Sequence, residues 1–227
     1  MSQVRRLHPW VACVKDGAGQ REAIVSRYTI FMCVLGVLGA SLSDASALTI
    51  DEAYASVSLS PPTTRLVIVC HDFGCAQRTP VGLSPGDLAT LSSLLAPGRA
   101  SAEAERRAIA AAEAWFDRRV GPAAGTTHRI AHATGLSVQG TTGQMDCIDT
   151  SRNSTSLLLI LEQLHLLRHH KVEGPEARGF LLDGRGPHAT AVLTDIHTGR
   201  QWAVDSWTHK YGEQPDVLPL DVWKQQG

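Results

Sequence analysis

One apolar pattern, at residues 148–167, constrains the fold of this chain more than any other stretch of its sequence. Its aliphatic residues recur at intervals of three and four, the spacing that places side chains on one face of an α-helix. Asp146, Asp149 and Thr150 are residue types that cap and charge the first turn of a helix. We therefore expect a long helix that begins near these residues and runs to about His170.

Cys147 lies at the start of this helix, where the helix macrodipole and the free backbone N–H groups favour a thiolate over a thiol. A nucleophilic cysteine requires a base, and the base requires a group that orients it. Downstream, His188 and Asp205 lie in segments 188–194 and 201–207, which have the pattern of two β-strands joined by a turn. The sequence therefore predicts a site formed by Cys147, His188 and Asp205.

The turn between these two strands sets their register. If Asp195 pairs with Arg200, His188 lies opposite Trp207, and Asp205 lies diagonally across from His188 on the same face of the sheet. A loop longer or shorter by one residue would place the two on opposite faces. With the expected turn, Asp205 can hold the imidazole through one ring nitrogen and leave the other for the nucleophile.

The order Cys, His, Asp, with the cysteine opening a helix and the others on consecutive strands, resembles the transglutaminase-like cysteine hydrolases. Asp146 and Asp149, beside Cys147, are similar to the acidic surround of the bacterial transglutaminase-like periplasmic cysteine proteinases. The resemblance covers residues 140–210 and implies an α+β fold with a papain-like core, in which the nucleophile-bearing helix packs on an antiparallel sheet. It also implies thiolate attack on an amide carbonyl and a covalent acyl-enzyme.

The chain departs from this family close to the nucleophile. The family often has an aromatic residue and a glycine shortly before the nucleophile, where this chain has Gln144, Met145 and Asp146. By analogy with papain-like enzymes, Gln144 is a candidate oxyanion donor together with the backbone N–H of Cys147. The proteinase relatives bind calcium near the cysteine, and Asp146 and Asp149 are candidate ligands, but Ile148 stands where a further acid is expected. We expect no cofactor and no metal, with calcium at these carboxylates as the alternative.

Residues 1–47 have the pattern of a targeting segment. Two arginines precede an apolar run at 28–40, and a small-residue triplet at 45–47 matches a signal-peptidase site. The run is shorter than the roughly 20 residues that a membrane-spanning helix needs. We expect cleavage to leave residues 48–227 as a single transglutaminase-like domain with an N-terminal helical extension, periplasmic or secreted and without a stable membrane span. An uncleaved signal that anchors the chain in a membrane is the alternative.

An exported domain lies in an oxidising compartment, which predicts which of its cysteines form disulfides. Cys13 and Cys33 belong to the targeting segment, while Cys70 and Cys75 are close neighbours that an oxidising compartment would pair. Cys147 is then left alone. An unpaired cysteine in an exported domain is either buried and inert or kept for chemistry.

Two other histidine or cysteine groups are alternatives for a metal-binding protein. Cys70, His71 and Cys75 could ligate zinc, although no fourth ligand stands at a suitable spacing. His165 and His169 have the i, i+4 spacing of metal ligands on a helix, but no acidic third ligand accompanies them. Histidines also suit a helix C-terminus without any metal, because cations interact favourably with that end of the macrodipole.

Composition excludes nucleic acid as a partner. The formal net charge is −1 and aromatic residues make up 5% of the chain, which provides neither a basic surface nor a stacking platform. We expect a protein or peptide substrate, with the cell envelope as a candidate source, and a thiol hydrolase or acyltransferase activity on an amide bond. Asp183, Arg185 and His209 are expected at the rim of the site. The rival hypothesis is a non-catalytic binding module with the same fold and a vestigial triad.

The remaining segments complete the expected architecture, with a tail that wraps back over the core. Residues 78–86 are rich in proline and glycine and are expected to form a loop. Gly121-Pro122 is expected to end a long helix. The sequence predicts helices at 50–55, 87–95 and 102–120 and strands at 65–70 and 179–182.

Overall fold

The central element of the computed structural model is helix α4 (Cys147–Gln163), in which every residue from Asp149 to Leu161 is buried. Asp146 caps this helix and exchanges hydrogen bonds with Asp149 in a capping box, as the residue types at its start predict. The structure describes residues 48–226 except 136, 139 and 180–185. All of these belong to one compact unit, Ser43–Gly227.

Two antiparallel sheets pack around α4. The larger sheet has four strands in the order β3-β4-β5-β6, and the smaller is a hairpin of β1 and β2. Helix α4 contacts β3, β4 and β5 of the larger sheet and β1 of the smaller one, so the fold class is α+β, as predicted. The strands are β1 (Leu66–His71), β2 (Gln77–Gly82), β3 (His170–Arg178), β4 (His188–Asp195), β5 (Gln201–Asp205) and β6 (Asp216–Pro219).

Four further helices of the described residues surround this core. The hydroxyls of Ser84 and Ser101 accept backbone N–H groups in the first turns of α2 and α3, which satisfies donors that have no partner within the helix. The predicted return of the tail is confirmed, because Trp223 on the last helix is fully buried. The helices are α1 (Ile50–Ala55), α2 (Pro85–Leu95), α3 (Ala102–Ala124) and α5 (Leu220–Gln225), with a 3-10 turn at Ala96–Ala100.

Helix α3 does not end at Gly121-Pro122, as predicted, but continues to Ala124. A proline lacks the N–H that would bond the carbonyl four residues earlier, that of Arg118. The hydroxyl of Tyr211 donates to this carbonyl instead, at 3.2 Å. Gly121 permits the approach, since a Cβ at this position would overlap the Tyr211 ring. A side chain from a distant loop therefore completes the last turn.

Helix α4 is shorter than predicted and ends at Gln163 rather than near His170. His165 follows it with a left-handed φ of 55°, and the chain then enters β3 at His170. His165 and His169 are consequently not on one helix face. The helical spacing on which the metal alternative for these histidines depended is therefore absent.

Two strands contain prolines, which cannot donate to the hydrogen-bond ladder of a sheet. β3 includes Gly174-Pro175 where its register with β4 shifts between Glu173 and Glu176, and a bulge of this kind tolerates a missing backbone donor. β2 includes Pro80, so the loop predicted at 78–86 is wrong over its first half. This strand has one neighbour in a two-stranded sheet, and the open edge accommodates the proline.

Several predictions concern residues outside the described part of the chain. These are the targeting segment at 1–47, most of the strand predicted at 179–182, and the rim residues Asp183 and Arg185. Within the described residues, no helix is both long and apolar enough to cross a bilayer.

A buried acid lies between α3 and α4. Glu113 Oε2 accepts a hydrogen bond from Ser154 Oγ at 3.2 Å, and Oε1 has no partner among the described residues. Burial raises the pKa of Glu113 to about 8, and the nearby Asp117 carboxylate adds to the increase. Glu113 is therefore protonated in the folded protein at neutral pH.

We expect the free energy of unfolding to fall as pH rises from about 5 to about 8, by at most about 1.4 kcal/mol per pH unit from Glu113. Between these pH values folded Glu113 keeps a proton that the unfolded chain has released. The stability that the protonated side chain contributes is therefore lost as the pH rises through the pKa of Glu113 in the folded protein. Glu113→Gln should reduce the slope measured by chemical denaturation, whereas the exposed Glu103→Gln should not. An unchanged slope in Glu113→Gln would contradict the protonated state.

Candidate active site

The hairpin of β4 and β5 brings His188 and Asp205 together. The backbone N–H of Asp195 donates to the carbonyl of Arg200 at 2.9 Å, which is the expected turn, and the register of the two strands follows it. His188 Nε2 lies 2.5 Å from Asp205 Oδ2. Because a carboxylate only accepts, Nε2 carries the hydrogen, and Nδ1 of the neutral ring is an acceptor.

Two tryptophans hold this pair in place. The centroids of the Trp207 and Trp223 rings lie 4.7 and 5.3 Å from that of the His188 ring. Trp223 Nε1 donates to Asp205 Oδ2 at 2.8 Å, and the backbone N–H of Trp207 donates to Oδ1 at 3.2 Å. Both oxygens of a carboxylate that is only 3% exposed are thereby satisfied. The sequence predicts no role for either tryptophan. The residues around Trp223 carry no pattern that identifies it as a partner of Asp205.

Cys147 is the first residue of α4 and is partly exposed. Its thiol interacts with the backbone N–H of Ala189, the residue that follows His188. Nδ1 of His188 has no hydrogen-bond partner within the described part of the chain, so the thiol and the imidazole are not yet hydrogen-bonded. In active sites without substrate such bonds are often long, and they tighten when substrate binds.

The pKa of the Cys147 thiol is raised, contrary to the sequence-based expectation. Burial is the main cause, and the carboxylates of Asp146 and Asp205 raise the pKa further, against the lowering effect of the Ala189 and Cys147 N–H groups. The N-terminus of a helix carries only about half a positive charge, which these carboxylates and burial outweigh. The resting residue is therefore a thiol that needs a proton acceptor.

Cys70 and Cys75 form the predicted disulfide, and the loop that it closes is bound to the start of α4. The backbone N–H groups of residues 73–75 donate to the carboxylates of Asp146 and Asp149, at distances of 2.6–2.9 Å. The helix cap and the disulfide loop are thus one hydrogen-bonded unit. It fixes the backbone on both sides of the nucleophile.

The loop adopts a conformation that L-residues rarely take. Asp72, Phe73, Gly74 and Cys75 have φ values of 63°, 68°, 65° and 60°, and each left-handed non-glycine residue costs roughly 1–2 kcal/mol. Successive left-handed residues point their N–H groups to one side, and the helix-cap carboxylates accept these groups. The same conformation places Phe73 in the wall of the cleft described below.

These contacts bear on both metal alternatives. Asp146 Oδ1 accepts from the Asp149 N–H, and the other three oxygens of the two carboxylates accept from the loop, so calcium at this pair would share each oxygen with a backbone donor. The zinc alternative with His71 fails, because Cys70 and Cys75 are joined to each other and offer no thiolate.

Cys147 and His188 line a cleft of about 600 Å³. Phe73, Trp207 and the loop at 132–135 contribute to its wall, which is largely apolar, and Asp146 and Arg178 also line it. His132 packs edge-on against Trp207 with ring centroids 5.1 Å apart, and its backbone N–H donates to the Trp207 carbonyl. The volume is that of a site for a small molecule or a short peptide segment.

Gln144 is not brought into this cleft. Its buried amide accepts from the Ile130 N–H at 3.0 Å and donates to the His128 carbonyl at 3.2 Å. The side chain thus braces the loop that leads into α4, and the expected oxyanion role does not fit this position. His209, a predicted rim residue, is likewise absent from the described cleft lining and lies 3.3 Å from Asp216.

No family model, curated protein or solved structure matches this chain. The site itself contains a cysteine at a helix start, an imidazole with an acceptor nitrogen, and a buried carboxylate that orients the imidazole. These are the components of a cysteine acyl-transfer site.

We expect Asp149→Ala to lower the free energy of unfolding by about 2 kcal/mol or more, because it leaves the Phe73 and Cys75 N–H groups without their acceptor. Burial and Asp146 raise the pKa of Asp149 to about 7, so denaturation should be measured above that pH, where the carboxylate is charged. The exposed Asp51→Ala is the control and should change stability by less than about 0.5 kcal/mol. Equal losses in the two variants would contradict the role assigned to Asp149.

Proposed function

We propose that this protein is a thiol hydrolase or acyltransferase that cleaves an amide bond of a peptide or protein through an acyl-enzyme on Cys147. The observation that supports this most is the state of His188. One ring nitrogen is held by the buried Asp205, and the other is an acceptor without a partner in the described structure. The ring lines the same cleft as the thiol.

The chemistry follows from these positions. As Sγ of Cys147 attacks the amide carbonyl, Nδ1 of His188 takes the thiol proton, and Asp205 stabilises the imidazolium that forms. The imidazolium then gives its proton to the amide nitrogen, the C–N bond breaks, and a thioester remains on Cys147. Water or an acceptor amine attacks the thioester while His188 takes its proton, which releases the acyl group and restores the thiol.

We further propose that the core is transglutaminase-like, with the papain-like arrangement of a nucleophile helix on an antiparallel sheet. The first residue of α4 supplies the thiol, while β4 and β5 supply His188 and Asp205, which is the order of elements in that family. The Cys70–Cys75 disulfide supports a periplasmic or secreted location, because disulfides persist in oxidising compartments.

The alternative is a non-catalytic binding module that uses the same cleft. The raised pKa of Cys147 favours this alternative, as does the lack of a hydrogen bond between Cys147 and His188 in the described structure. A binding module needs only the cleft and its aromatic wall. Turnover therefore separates the two hypotheses.

We expect the signal-free protein to cleave or transfer members of a peptide pool from a proteome digest, and to carry acyl adducts on Cys147 after an acid quench. Mass spectrometry of the peptides and of the intact protein detects both events. Cys147→Ala should abolish them, and His188→Ala should lower the rate roughly 10²- to 10⁴-fold, whereas the exposed His197→Ala should not.

Two results would contradict the enzyme proposal. Cleavage that persists in Cys147→Ala would show that the activity does not use this thiol. Folded wild-type protein that yields neither products nor adducts, but retains peptides on the cleft, would favour the binding module.

A further inference from the structure

A second cleft, of about 420 Å³, lies close to the first along the chain. Its lining includes Ile148, Gly74, Ala177 and Ala189, whose chain neighbours Cys147, Phe73, Arg178 and His188 line the first cleft. The same four segments of the chain therefore supply walls to both clefts. This proximity makes the second cleft a candidate for binding a further part of a peptide held at Cys147.

This second cleft contains a buried cation that has no counter-ion among the described residues. Arg152 on α4 is only 6% exposed, and of the five N–H donors of its guanidinium one is accounted for, from Nη2 to Ser56 Oγ at 3.3 Å. Nε is buried without a partner in the described structure. The guanidinium also forms no ion pair with any described carboxylate. Glu176, the acid of this cleft, lies 3.0 Å from Lys224 instead.

A buried charge without a partner is strongly unfavourable, and an arginine cannot lose its proton to avoid that cost. A bound anion would supply the partner. Leu48, Val57 and Ile148 give the cleft apolar walls, where a charge pair is stronger than in water. The planar guanidinium matches a carboxylate with two parallel hydrogen bonds.

We propose that this cleft is a substrate subsite in which Arg152 binds a carboxylate of the peptide. The inference rests on the proposed function, since it takes the peptide to lie across Cys147. Arg152 follows Cys147 by five residues on α4, a rise of about 7.5 Å along the helix axis. The subsite therefore selects peptides with a carboxylate within a few residues of the reacting amide.

Peptides that carry a thiol-directed electrophile test this subsite without requiring turnover. Each short amidated peptide would carry glutamate or glutamine at one position, and the position would be varied across the set. The electrophile would be a chloroacetyl group at the N-terminus or a chloromethyl ketone at the C-terminus, so that residues on either side of the reacting group are sampled. A further set would carry glutamine and a free C-terminal carboxylate. The rate of labelling of Cys147 would be followed by intact-protein mass spectrometry.

At one position the glutamate peptide should label wild-type protein roughly tenfold faster or more than its glutamine partner. Arg152→Gln should abolish the preference, and Arg152→Lys should keep part of it. Arg107→Gln, which removes an exposed charge from α3, should keep all of it. A preference found only for peptides with a free C-terminus would assign the subsite to a chain terminus rather than an acidic side chain.

Plain chloroacetamide separates the failure of the subsite from the failure of the enzyme proposal. If it labels Cys147 in a His188-dependent manner and at equal rates in the Arg152 variants, the active site is intact. Equal labelling by glutamate and glutamine peptides, or a preference that survives Arg152→Gln, would then overturn the subsite alone. Labelling by chloroacetamide that is absent or insensitive to His188→Ala would overturn the proposed function.

Discussion

The carboxylates of Asp146 and Asp149 hold together the parts of the molecule on which the site depends. They cap α4 in a reciprocal pair and also accept the backbone N–H groups of residues 73–75 in the disulfide loop. The helix start that bears Cys147 and the loop that bears one wall of the cleft are therefore stabilised by the same four oxygens. Without these acceptors, the left-handed loop would keep its backbone strain and lose the hydrogen bonds that offset it.

This arrangement has a chemical consequence for the nucleophile. A negative charge at the start of α4 stabilises the helix, but Asp146 also raises the pKa of the neighbouring Cys147 thiol. In the proposed mechanism, activation of the thiol then depends on a base outside the helix. The hairpin supplies His188, and the tail supplies Trp223, whose indole N–H fixes the carboxylate that orients this histidine. The proposed mechanism therefore depends on three separate regions of the chain.

The sequence predicted those features that depend on neighbouring residues. The length of the β4–β5 turn gave the register, and the register placed His188 beside Asp205. Features that depend on distant partners were not predictable in this way. Helix α3 continues past Pro122 because the Tyr211 hydroxyl donates to the Arg118 carbonyl, which the proline cannot bond. The Gln144 amide bonds the backbone of Ile130 and His128 and so does not reach the cleft. The thiol pKa also reverses its expected direction, through burial and charges that the local pattern does not contain.

The most direct test of this account is the pH dependence of Cys147 alkylation by iodoacetamide in wild type and His188→Ala. If His188 is the proton acceptor, the wild type reacts faster at neutral pH, and His188→Ala reacts only as pH approaches a thiol pKa above the ordinary value of about 8.5. That result would show an imidazole-activated nucleophile. Superimposable profiles for the two proteins would show that the thiol ionises independently of His188, and would contradict the proposed catalytic site.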